Sequence, residues 1–511
     1  MKGFFLFLLV FCLAYPRAQE IRYAALEGSG DRSSSFDIIG RLGKQILIYR
    51  NTRGRHYLSV LNNDMVSLRK VDLAFLPRRV LKVDFLKVDD QLMLFYQHEN
   101  SGVLYCNLVK FNADVKIVQE PTTLDSVAIA DARDIGLYTI LQSQQGARIM
   151  LMQPLVNNAQ LFEINTNLFD GNMILLKKAG IIIGSPGGEE QIKDFMLTNN
   201  GDLVFSRAIA RRESENLRRV DVLIKPALED TIRFASIRFG DLAIRNLKMQ
   251  IDNRNNRVLV ATLFGAGKRS DVAGFFSASV RIENNTIAAG QNIYFSDSLK
   301  NEAKTRSNGI KTAFNEFAID QIIPYTQGGY ALVMERRYSE GGRGLDRVLN
   351  PYLDNSLPGR MQYNGLTGDG PVFTMTKTPY EPFRMPIDPK SIMKNMAGHV
   401  LLFSLDSAGL EEGHQLLRKA QQEDNTANFL SYCILKTGSE LKFLFNQKEK
   451  SGLLLNAVAW KTGERIRRLP VLKDLRPDYR FMTKYASQIG PSEIIIPCLN
   501  NGFLSFARIQ F

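Results

Sequence analysis

Short apolar segments alternate with polar turns along most of this chain, and the pattern is clearest towards the C-terminus. Strands separated by Gly, Asn and Asp, with almost no helical period between them, are typical of arrays of antiparallel hairpins. The pattern therefore predicts an all-β protein built as a propeller, sandwich or barrel. Three segments carry it most plainly, each an apolar strand with a polar turn that holds Gly: His399–Leu410, Ser431–Asn446 and Leu453–Glu464.

The N-terminal part, from about Ile21 to Ile310, follows the same alternation. Many of its strands are apolar on both faces, including Gln45–Tyr49, Gln91–Tyr96 and Arg257–Leu263. Such strands favour stacked sheets that are buried on both sides, as propeller blades are, over one open sheet with a wet face. Turn residues separate the strands at Asp89-Asp90, Asn199–Asp202, Asn253–Asn256 and Asn284-Asn285.

Grouping the strands by four gives a unit of roughly 50 to 65 residues, which predicts a β-propeller of about seven four-stranded blades, with six or eight as alternatives. A ring of blades can close by pairing strands from the two ends of the chain, which removes exposed sheet edges. We expect the last strand, Ser505–Phe511, to pair with the segment after Gln19. Residues 20–511 would then form a single propeller domain.

One segment, residues 339–398, does not follow this pattern of strands and turns. It is rich in Gly and Pro but also carries aromatic residues, so it is not a plain linker. We expect a long loop insertion that packs over one face of the ring and contacts a partner, because aromatic and Arg side chains anchor many interfaces. The alternative is a disordered excursion without a role. The side chains predicted to make the contact are Tyr352, Tyr363, Tyr380, Phe383 and Arg384.

Residues 1–19 have the order of a secretory signal peptide. Lys2 precedes an apolar run from Phe4 to Ala14, and small residues lead to a cleavage site expected after Ala18 or Gln19. The run is too short to span a bilayer, and no later segment approaches the roughly eighteen apolar residues of a transmembrane helix. The sequence therefore predicts export, to the periplasm, to the outer membrane as an associated protein, or to the extracellular space.

The chain is basic, with 65 Lys and Arg residues against 52 Asp and Glu residues and a formal net charge of +13. In an exported protein this charge favours an envelope protein or an anionic glycan as the partner over nucleic acid. The oligomeric state is left open. The densest positive sets interleave with Glu or lie beside turns, as is typical of a solvated rim: Arg207, Arg211, Arg212, Arg218 and Arg219, and Arg465, Arg467 and Arg468.

Metal and cofactor sites are not indicated. After the signal peptide the chain keeps Cys106, Cys433 and Cys498 without a CxxC pair, which predicts buried free thiols rather than a disulfide framework. The four His residues show no HExxH or comparable spacing. No phosphate-binding or dinucleotide motif stands in the strand-to-helix context that it would require. We therefore predict no metal and no cofactor.

A glycan-active hydrolase is the first alternative to a binding role. Propeller enzymes can gather carboxylates at one mouth of the ring, and Asp320, Glu335 and Asp406 lie at or near strands. The competing structural interpretation places Asp320 and Asp406 where turns favour Asp, and pairs Glu335 with Arg336 across neighbouring strands. A catalytic role for the three carboxylates is therefore a hypothesis beside the structural one.

An outer-membrane β-barrel is the second alternative, suggested by the terminal Phe511 after alternating residues. Adjacent apolar residues such as Ile494–Ile496 argue against it, because they place apolar side chains on both faces of a strand.

Four C-terminal segments, read together, carry a resemblance to a known family: Phe317–Pro324, Gly328–Arg336, Leu441–Asn446 and Ser492–Cys498. They resemble a family of exported, propeller-like proteins of unknown function from Bacteroidota. The resemblance implies a secreted, periplasmic or outer-membrane-associated β-propeller, and it supplies no catalytic residues. The Trp-Asp and double-Gly patterns of better-known propellers are absent, since Trp460 is the single Trp of the chain.

The sequence thus predicts an exported cell-envelope binding or scaffold protein. A propeller face and the aromatic insertion would hold a protein or glycan whose identity the residues do not reveal. No catalytic residue is predicted for this role.

Overall fold

The computed structural model describes most of the chain after residue 18. The described ranges are 19–26, 34–129, 136–158, 161–184, 190–211, 214–265, 271–303, 314–341, 361–367, 370–375, 393–424, 426–438, 440–449 and 452–511. The segment expected to be a signal peptide therefore lies outside the described residues, apart from Gln19.

Strands in antiparallel groups of four make up nearly all of the regular secondary structure in the described residues. The chain first forms β1 (Glu20–Tyr23), and the first blade follows as β2 (Ser34–Leu42), β3 (Gln45–Thr52), β4 (Arg55–Leu61) and β5 (Ser67–Asp72). The second is β6 (Lys82–Val88), β7 (Gln91–Asn100), β8 (Val103–Phe111) and β9 (Ile117–Ala128). The third is β10 (Thr139–Gln142), β11 (Arg148–Asn158), β12 (Leu161–Asp170) and β13 (Leu175–Gly184).

The fourth and fifth blades are joined into one larger sheet by a single pairing of Leu217 with Ile244. Blade 4 is β14 (Glu190–Leu197), β15 (Leu203–Arg211), β16 (Ser214–Lys225) and β17 (Arg233–Arg238). Blade 5 is β18 (Ala243–Asp252), β19 (Arg257–Gly265), β20 (Val272–Arg281) and β21 (Ile287–Tyr294). A short helix, α1 (Asp297–Glu302), and a 3-10 turn at Phe314–Glu316 lead onward.

Blade 6 contains the long connection noted in the sequence. It consists of β22 (Phe317–Pro324), β23 (Tyr330–Gly341), β26 (Met393–Leu405), β27 (Glu411–Leu417) and β28 (Gln421–Asp424). Between β23 and β26 lies a hairpin of β24 (Met361–Thr367) and β25 (Gly370–Met375). Both β27 and β28 pair with β26, one after the other, and together supply the fourth strand.

Blades 7 and 8 complete the chain. Blade 7 is β29 (Tyr432–Lys436), β30 (Leu441–Glu449), β31 (Gly452–Trp460) and β32 (Arg467–Arg468). Blade 8 has a broken first strand, β33 (Arg480–Phe481) and β34 (Ser487–Gly490), with a 3-10 turn at Thr483–Tyr485 between them. Its second and third strands are β35 (Glu493–Asn500) and β36 (Phe503–Gln510), and its fourth is the N-terminal β1.

The two ends of the chain therefore close the structure, as the sequence predicts. Glu20 pairs with Gln510, and Tyr23 pairs with Ala507 in the same antiparallel ladder. The fold class is confirmed: the described chain is a β-propeller, and its four-stranded groups number eight, the highest of the three values considered.

Apolar packing shows how the blades are arranged. The first strands of neighbouring blades contact one another, as β2 does with β34 and β6, so they line the centre of the ring. Eight clusters of buried apolar side chains each join two consecutive blades, including Ile48 of blade 1 with Ile495 and Phe506 of blade 8. Strands that are apolar on both faces are required because each blade is covered on both sides.

The meander within each blade divides its connections between two edges of the ring. Connections from the first to the second strand and from the third to the fourth lie on one edge, here called the turn edge. Connections from the second to the third strand, and from each blade to the next, lie on the other edge. We call this the insertion edge, because the long connection of blade 6 belongs to it.

Cationic side chains tie neighbouring blades together along the turn edge. In six consecutive interfaces, a Lys or Arg of one blade reaches the turn between the third and fourth strands of the next blade. The contacts are Arg508 to the Asn63 carbonyl (2.9 Å), Arg69 to the Asp114 carbonyl, Lys110 to the Asn172 carbonyl (2.8 Å), Lys177 to the Asp230 carboxylate (3.0 Å), Arg233 to the Glu283 carbonyl (2.9 Å) and Arg257 to the Ser407 carbonyl (2.8 Å). Part of the positive charge of the chain is therefore structural.

Cys106, Cys433 and Cys498 are buried free thiols, as predicted, and burial raises the pKa of each. Within the described ranges, no helix has the length and apolar character to cross a membrane.

Candidate functional site: the base of the blade 6 insertion

The insertion of blade 6 emerges from two strands that continue past their own sheet. β23 and β26 pair from Tyr330 with Leu405 to Gly341 with Met393. The first strand of the blade stops pairing at Arg336, so the ladder continues towards the insertion edge as β23 and β26, with β28 paired to the other side of β26. In blades 1, 2 and 8 the same connection is a two-residue turn, whereas here it comprises residues 342–392.

The strand pairing places the ends of the insertion inside the expected range of 339–398. Residues 339–341 belong to β23 and residues 393–398 belong to β26. The Ser339 hydroxyl donates to Oδ1 of Asn395 (2.8 Å), and Nδ2 of Asn395 donates to the carbonyl of Thr426 (2.8 Å). Since Ser339 and Asn395 are both buried, these bonds fix the stem of the insertion to the connection between blades 6 and 7.

A buried cluster of charged groups lies directly beneath this stem. Glu335 accepts hydrogen bonds from Lys419 Nζ (2.5 Å), Arg337 Nε (2.7 Å) and Ser431 Oγ (2.6 Å). Arg337 also pairs with Asp320, whose Oδ2 accepts from the Tyr432 hydroxyl (2.7 Å). The cluster thus joins the first two strands of blade 6 to the start of blade 7.

Water is almost entirely excluded from this cluster. The side chains of Glu335 and Lys419 are fully buried, and those of Asp320 and Arg337 are 1% and 3% exposed. Burial raises the pKa of Glu335 and lowers that of Lys419, because each charged form loses its hydration, and their mutual attraction opposes both shifts. Such groups are costly to bury singly but hold one another in a fixed arrangement when all are present.

A second buried pair flanks the cluster. Arg336 donates through Nε to Glu316 (2.7 Å), and its guanidinium lies 4.8 Å from the ring centroid of Tyr338. The expectation that Glu335 pairs with Arg336 is therefore corrected. Successive strand residues point to opposite faces, so Arg336 turns to Glu316, while Glu335 faces Lys419 and Arg337 instead.

Of the three carboxylates considered for catalysis, the structure brings two together. Asp320 and Glu335 both bind Arg337, and the cations and hydroxyls around them occupy their oxygens. Asp320 lies at a bulge within β22, between Ile319 and Gln321, rather than in a turn. A general acid and base must reach substrate, whereas these two side chains are almost fully buried.

Asp406 lies away from this pair, in the turn between β26 and β27. Its Oδ1 accepts from the backbone N–H groups of Ala408 (2.9 Å) and Leu410 (2.8 Å). Equivalent turns of blades 1, 2 and 3 use the same bonds, made by Asn62, Asn112 and Asp170. Because Asn and Asp serve equally in this position, the role requires an acceptor oxygen and no negative charge.

The five aromatic and Arg residues predicted to contact a partner cannot be placed as a group. Tyr363 lies in β24, where its backbone pairs with Phe373. Tyr352, Tyr380, Phe383 and Arg384 lie outside the described residues. Their binding role stays a prediction.

Sequence reasoning missed a buried polar position that recurs around the ring. The sixth residue of the second strand is polar and buried in five blades: Arg50, Gln153, Thr262, Glu335 and Asn446. The available signal was a polar residue that directly follows an apolar run in the second strand of each of these blades. Glu335 is therefore one member of a structural series, and in blade 7 Asn446 donates to the carbonyls of Phe429 and Phe481.

Among the described residues, no group of three or more His, Cys, Asp and Glu side chains is arranged to hold a metal ion. Buried carboxylates in this part of the structure form ion pairs instead, such as Glu335 with Lys419 and Asp320 with Arg337.

Comparison with known proteins gives structural neighbours but no family. No family model and no curated protein matches the sequence. Prolyl oligopeptidase B from Galerina marginata, bound to a 35mer substrate, is 9% identical with a TM-score of 0.39, over 94% of this chain and 55% of that one. Polysaccharide lyase Uly1 is 11% identical with a TM-score of 0.38, over 83% and 89%.

A third neighbour is oligopeptidase B from Trypanosoma brucei, 9% identical with a TM-score of 0.31, over 83% of this chain and 53% of that one. The chain spans about half the length of the peptidases it matches. Similarity at this level says nothing about a reaction or ligand, so the propeller assignment rests on the sheets themselves.

Proposed function

We propose that this protein is an exported binding or scaffold protein of the cell envelope. Its partner is an envelope protein or an anionic glycan, held at the insertion edge of the propeller. The observation that carries the proposal is the buried charged cluster around Glu335, at the stem of the long insertion.

The geometry of the stem supports a role in fixing the insertion to the propeller. A connection of this length loses much conformational entropy when it becomes ordered on binding a partner. A stem that is already fixed in the free protein makes this loss smaller. Ser339, Asn395 and the ion pairs of Arg336 and Arg337 supply such an attachment. Loops held by a rigid scaffold are where binding residues concentrate in proteins.

Export is the second part of the proposal, and it rests on residues 1–19 alone. Fractionation of cells of the source organism tests it. We expect the protein in the periplasmic, outer-membrane-associated or extracellular fraction, with an N-terminus near Glu20 by mass spectrometry. An intact N-terminus in the cytosolic fraction would contradict this part.

Deletion of the insertion tests the binding role. Residues 342–392 are replaced by Asn-Gly, the two-residue turn found at Asn501-Gly502 of blade 8. We expect thermal stability to change little, because the stem ladder and the cluster remain, and chemical crosslinking to envelope components to be lost. Unchanged crosslinking by the stable variant would refute the role of the insertion.

A further inference from the structure

The hairpin of the insertion is attached to the propeller a second time, at blade 4. Gln362 of β24 pairs with Lys193 of β14, the first strand of that blade, in an antiparallel arrangement. The sheet of blade 4 therefore continues past its first strand, in the order β15, β14, β24, β25. Residues 342–360 lead from the stem on blade 6 to this hairpin, and residues 376–392 lead back.

The pairing places β24 towards the centre of the ring. First strands line that centre, and the outer edge of β14 is already bonded to β15, where Lys193 pairs with Ser206. β24 therefore occupies the inner edge of β14. Because β14 begins at the insertion edge and the pairing is antiparallel, β24 runs from Gln362 back towards that edge.

This second attachment is the shortest ladder of the insertion. Among the described residues, eleven pairs join β23 and β26, five pairs join β24 and β25, and one pair joins β24 to β14. Segments that are held by few contacts open locally at a small cost in free energy. β24 can therefore leave β14 while the stem and the hairpin stay intact.

Most of the β24 edge that faces β14 takes no part in this pairing. β24 comprises the seven residues Met361–Thr367, and in the described structure one of them pairs with β14. Backbone N–H and C=O groups along a strand edge are a template for another strand, and charged side chains commonly protect such edges. The outer strand β5 carries Arg69 and Lys70, whereas β24 and β25 contain no Asp, Glu, Lys or Arg. The hairpin thus lacks this protection against pairing.

The kind of partner follows from what covers this edge in the free protein. The covering element is a strand that pairs through its backbone, so the edge fits an extended polypeptide segment rather than a glycan. A segment that pairs along more of β24 forms more backbone hydrogen bonds than β14 does, and it can take the place of β14. A second copy of the chain cannot supply its own β14, because that strand lines the centre of its own ring.

From these observations we propose that β24 is a binding site for an extended segment of a partner protein, and that β14 covers this site in the free protein. The inference rests on the proposed binding role of the insertion and selects the protein from its two partner classes. Binding transfers the hairpin from β14 to the partner, while the stem above Glu335 keeps the insertion attached to blade 6.

A disulfide across the pairing tests the covered state. Directly opposite residues of an antiparallel pair have Cα atoms about 4.5–5.5 Å apart, within the range that a disulfide spans. We expect Lys193→Cys with Gln362→Cys to form a disulfide on mild oxidation, detected by mass spectrometry of the linked peptides. Lys82→Cys with Gln362→Cys is the matched control, because Lys82 begins the first strand of blade 2, and we expect no link there. The three cysteines of the described chain are buried and do not compete.

Binding of a labelled peptide tests the site itself. The probe has the sequence of residues 190–197, the strand that covers β24, and its control carries N-methyl groups on the amides of Ile192, Lys193 and Asp194. We expect the reduced double-cysteine protein to bind the probe at least about tenfold more tightly than the oxidised protein, because the disulfide holds β14 on the site. Methylation of the probe should lower its affinity by a similar factor, since it removes backbone donors.

The single variants Lys193→Cys and Gln362→Cys control for the substitutions themselves. We expect each to bind the probe as the unaltered protein does, under oxidising and under reducing conditions alike. A change that depends on both cysteines and on oxidation then reports the position of the hairpin.

Three results would overturn the inference: no disulfide between the paired positions, no difference in probe binding between the oxidised and reduced proteins, or equal binding of the methylated probe. The broader proposal fails separately, when deletion of the insertion leaves crosslinking to envelope components unchanged. Crosslinking of the insertion to a glycan alone would keep the insertion as the binding element and reject the strand site.

Discussion

At the scale of single residues, one side-chain oxygen repeatedly organises the turn between the third and fourth strands. Asn62, Asn112, Asp170 and Asp406 accept the same pair of backbone N–H groups in four different blades. A carboxylate that appears as a candidate acid in the sequence is thus equivalent to amides in other blades.

Substitution of Asp406 separates the two interpretations. Asp406→Asn keeps the acceptor oxygen, and we expect the free energy of unfolding to stay within about 0.5 kcal/mol of the original. Asp406→Ala leaves two backbone groups without their partner and is expected to cost about 1–2 kcal/mol. Urea unfolding measures both values, and an equal loss in the two variants would contradict the turn role.

His399 of β26 gives a residue-level pH dependence. Its Nδ1–H donates to the carbonyl of Lys419 (3.1 Å), while its Nε2 is buried and finds no hydrogen-bond partner among the residues that the structure describes. Burial, the largest cause, lowers its pKa below the ordinary value of 6.5, and the charges of Arg418, Arg336 and Lys419 act in the same direction.

This lowered pKa of His399 makes the folded protein less stable at acidic pH. The unfolded chain binds the proton more readily, so stability is present above pH 6.5 and is lost as the pH falls through 6.5 towards the folded-state pKa. We expect the free energy of unfolding to fall less steeply between about pH 7.5 and 5 in His399→Gln than in the unaltered protein. Identical slopes would contradict this account.

At the scale of elements, β1 closes the ring and should be indispensable. Ile21 is 2% exposed and packs with the cluster that joins blades 7 and 8. We expect Ile21→Ser to lower the free energy of unfolding by about 2–4 kcal/mol, because it leaves a cavity and a buried hydroxyl. Arg22→Ser, at the exposed neighbour, should change it by less than about 0.5 kcal/mol. Similar small effects at both positions would argue against closure by β1.

Local signals predicted the elements well. Asp89-Asp90, Asn199–Asp202, Asn253–Asn256 and Asn284-Asn285 all lie at turns between paired strands, because turn chemistry is set by a few adjacent residues. The C-terminal segments that look equivalent in the sequence occupy different positions within their blades. Ser431–Asn446 spans a first-to-second strand hairpin, whereas His399–Leu410 ends in a third-to-fourth strand turn.

Features that depend on residues far apart in the sequence could not be predicted from the sequence. The partner of Glu335 was mispredicted because Lys419 and Ser431 approach it only in the folded ring. The number of blades was predicted only as about seven, with six or eight as alternatives, for a related reason. Blade 6 is divided by residues 342–392, and blade 8 combines a broken first strand with β1 from the other end of the chain.

At the scale of the whole molecule, part of the positive charge holds the ring together. Six Lys and Arg side chains tie consecutive blades along the turn edge. The net charge of +13 therefore does not by itself measure the charge that is available to a partner.

Removal of one such tie tests the structural role. Lys110→Met removes the bond to the Asn172 carbonyl between blades 2 and 3, and we expect a cost of about 1 kcal/mol. Lys116→Met changes an exposed lysine in the neighbouring turn of blade 2 and should stay within about 0.5 kcal/mol. Chemical unfolding compares the two variants, and equal effects would mean that the tie contributes nothing specific.

The most direct test of the binding role compares the two edges of the ring in the same cells. A photo-crosslinking amino acid is placed at Lys394 or Lys448 on the insertion edge, and at Asp64 or Arg254 on the turn edge, all exposed positions. The account predicts adducts with an envelope component from the insertion edge and none from the turn edge. Adducts confined to the turn edge, or equal from both, would contradict it.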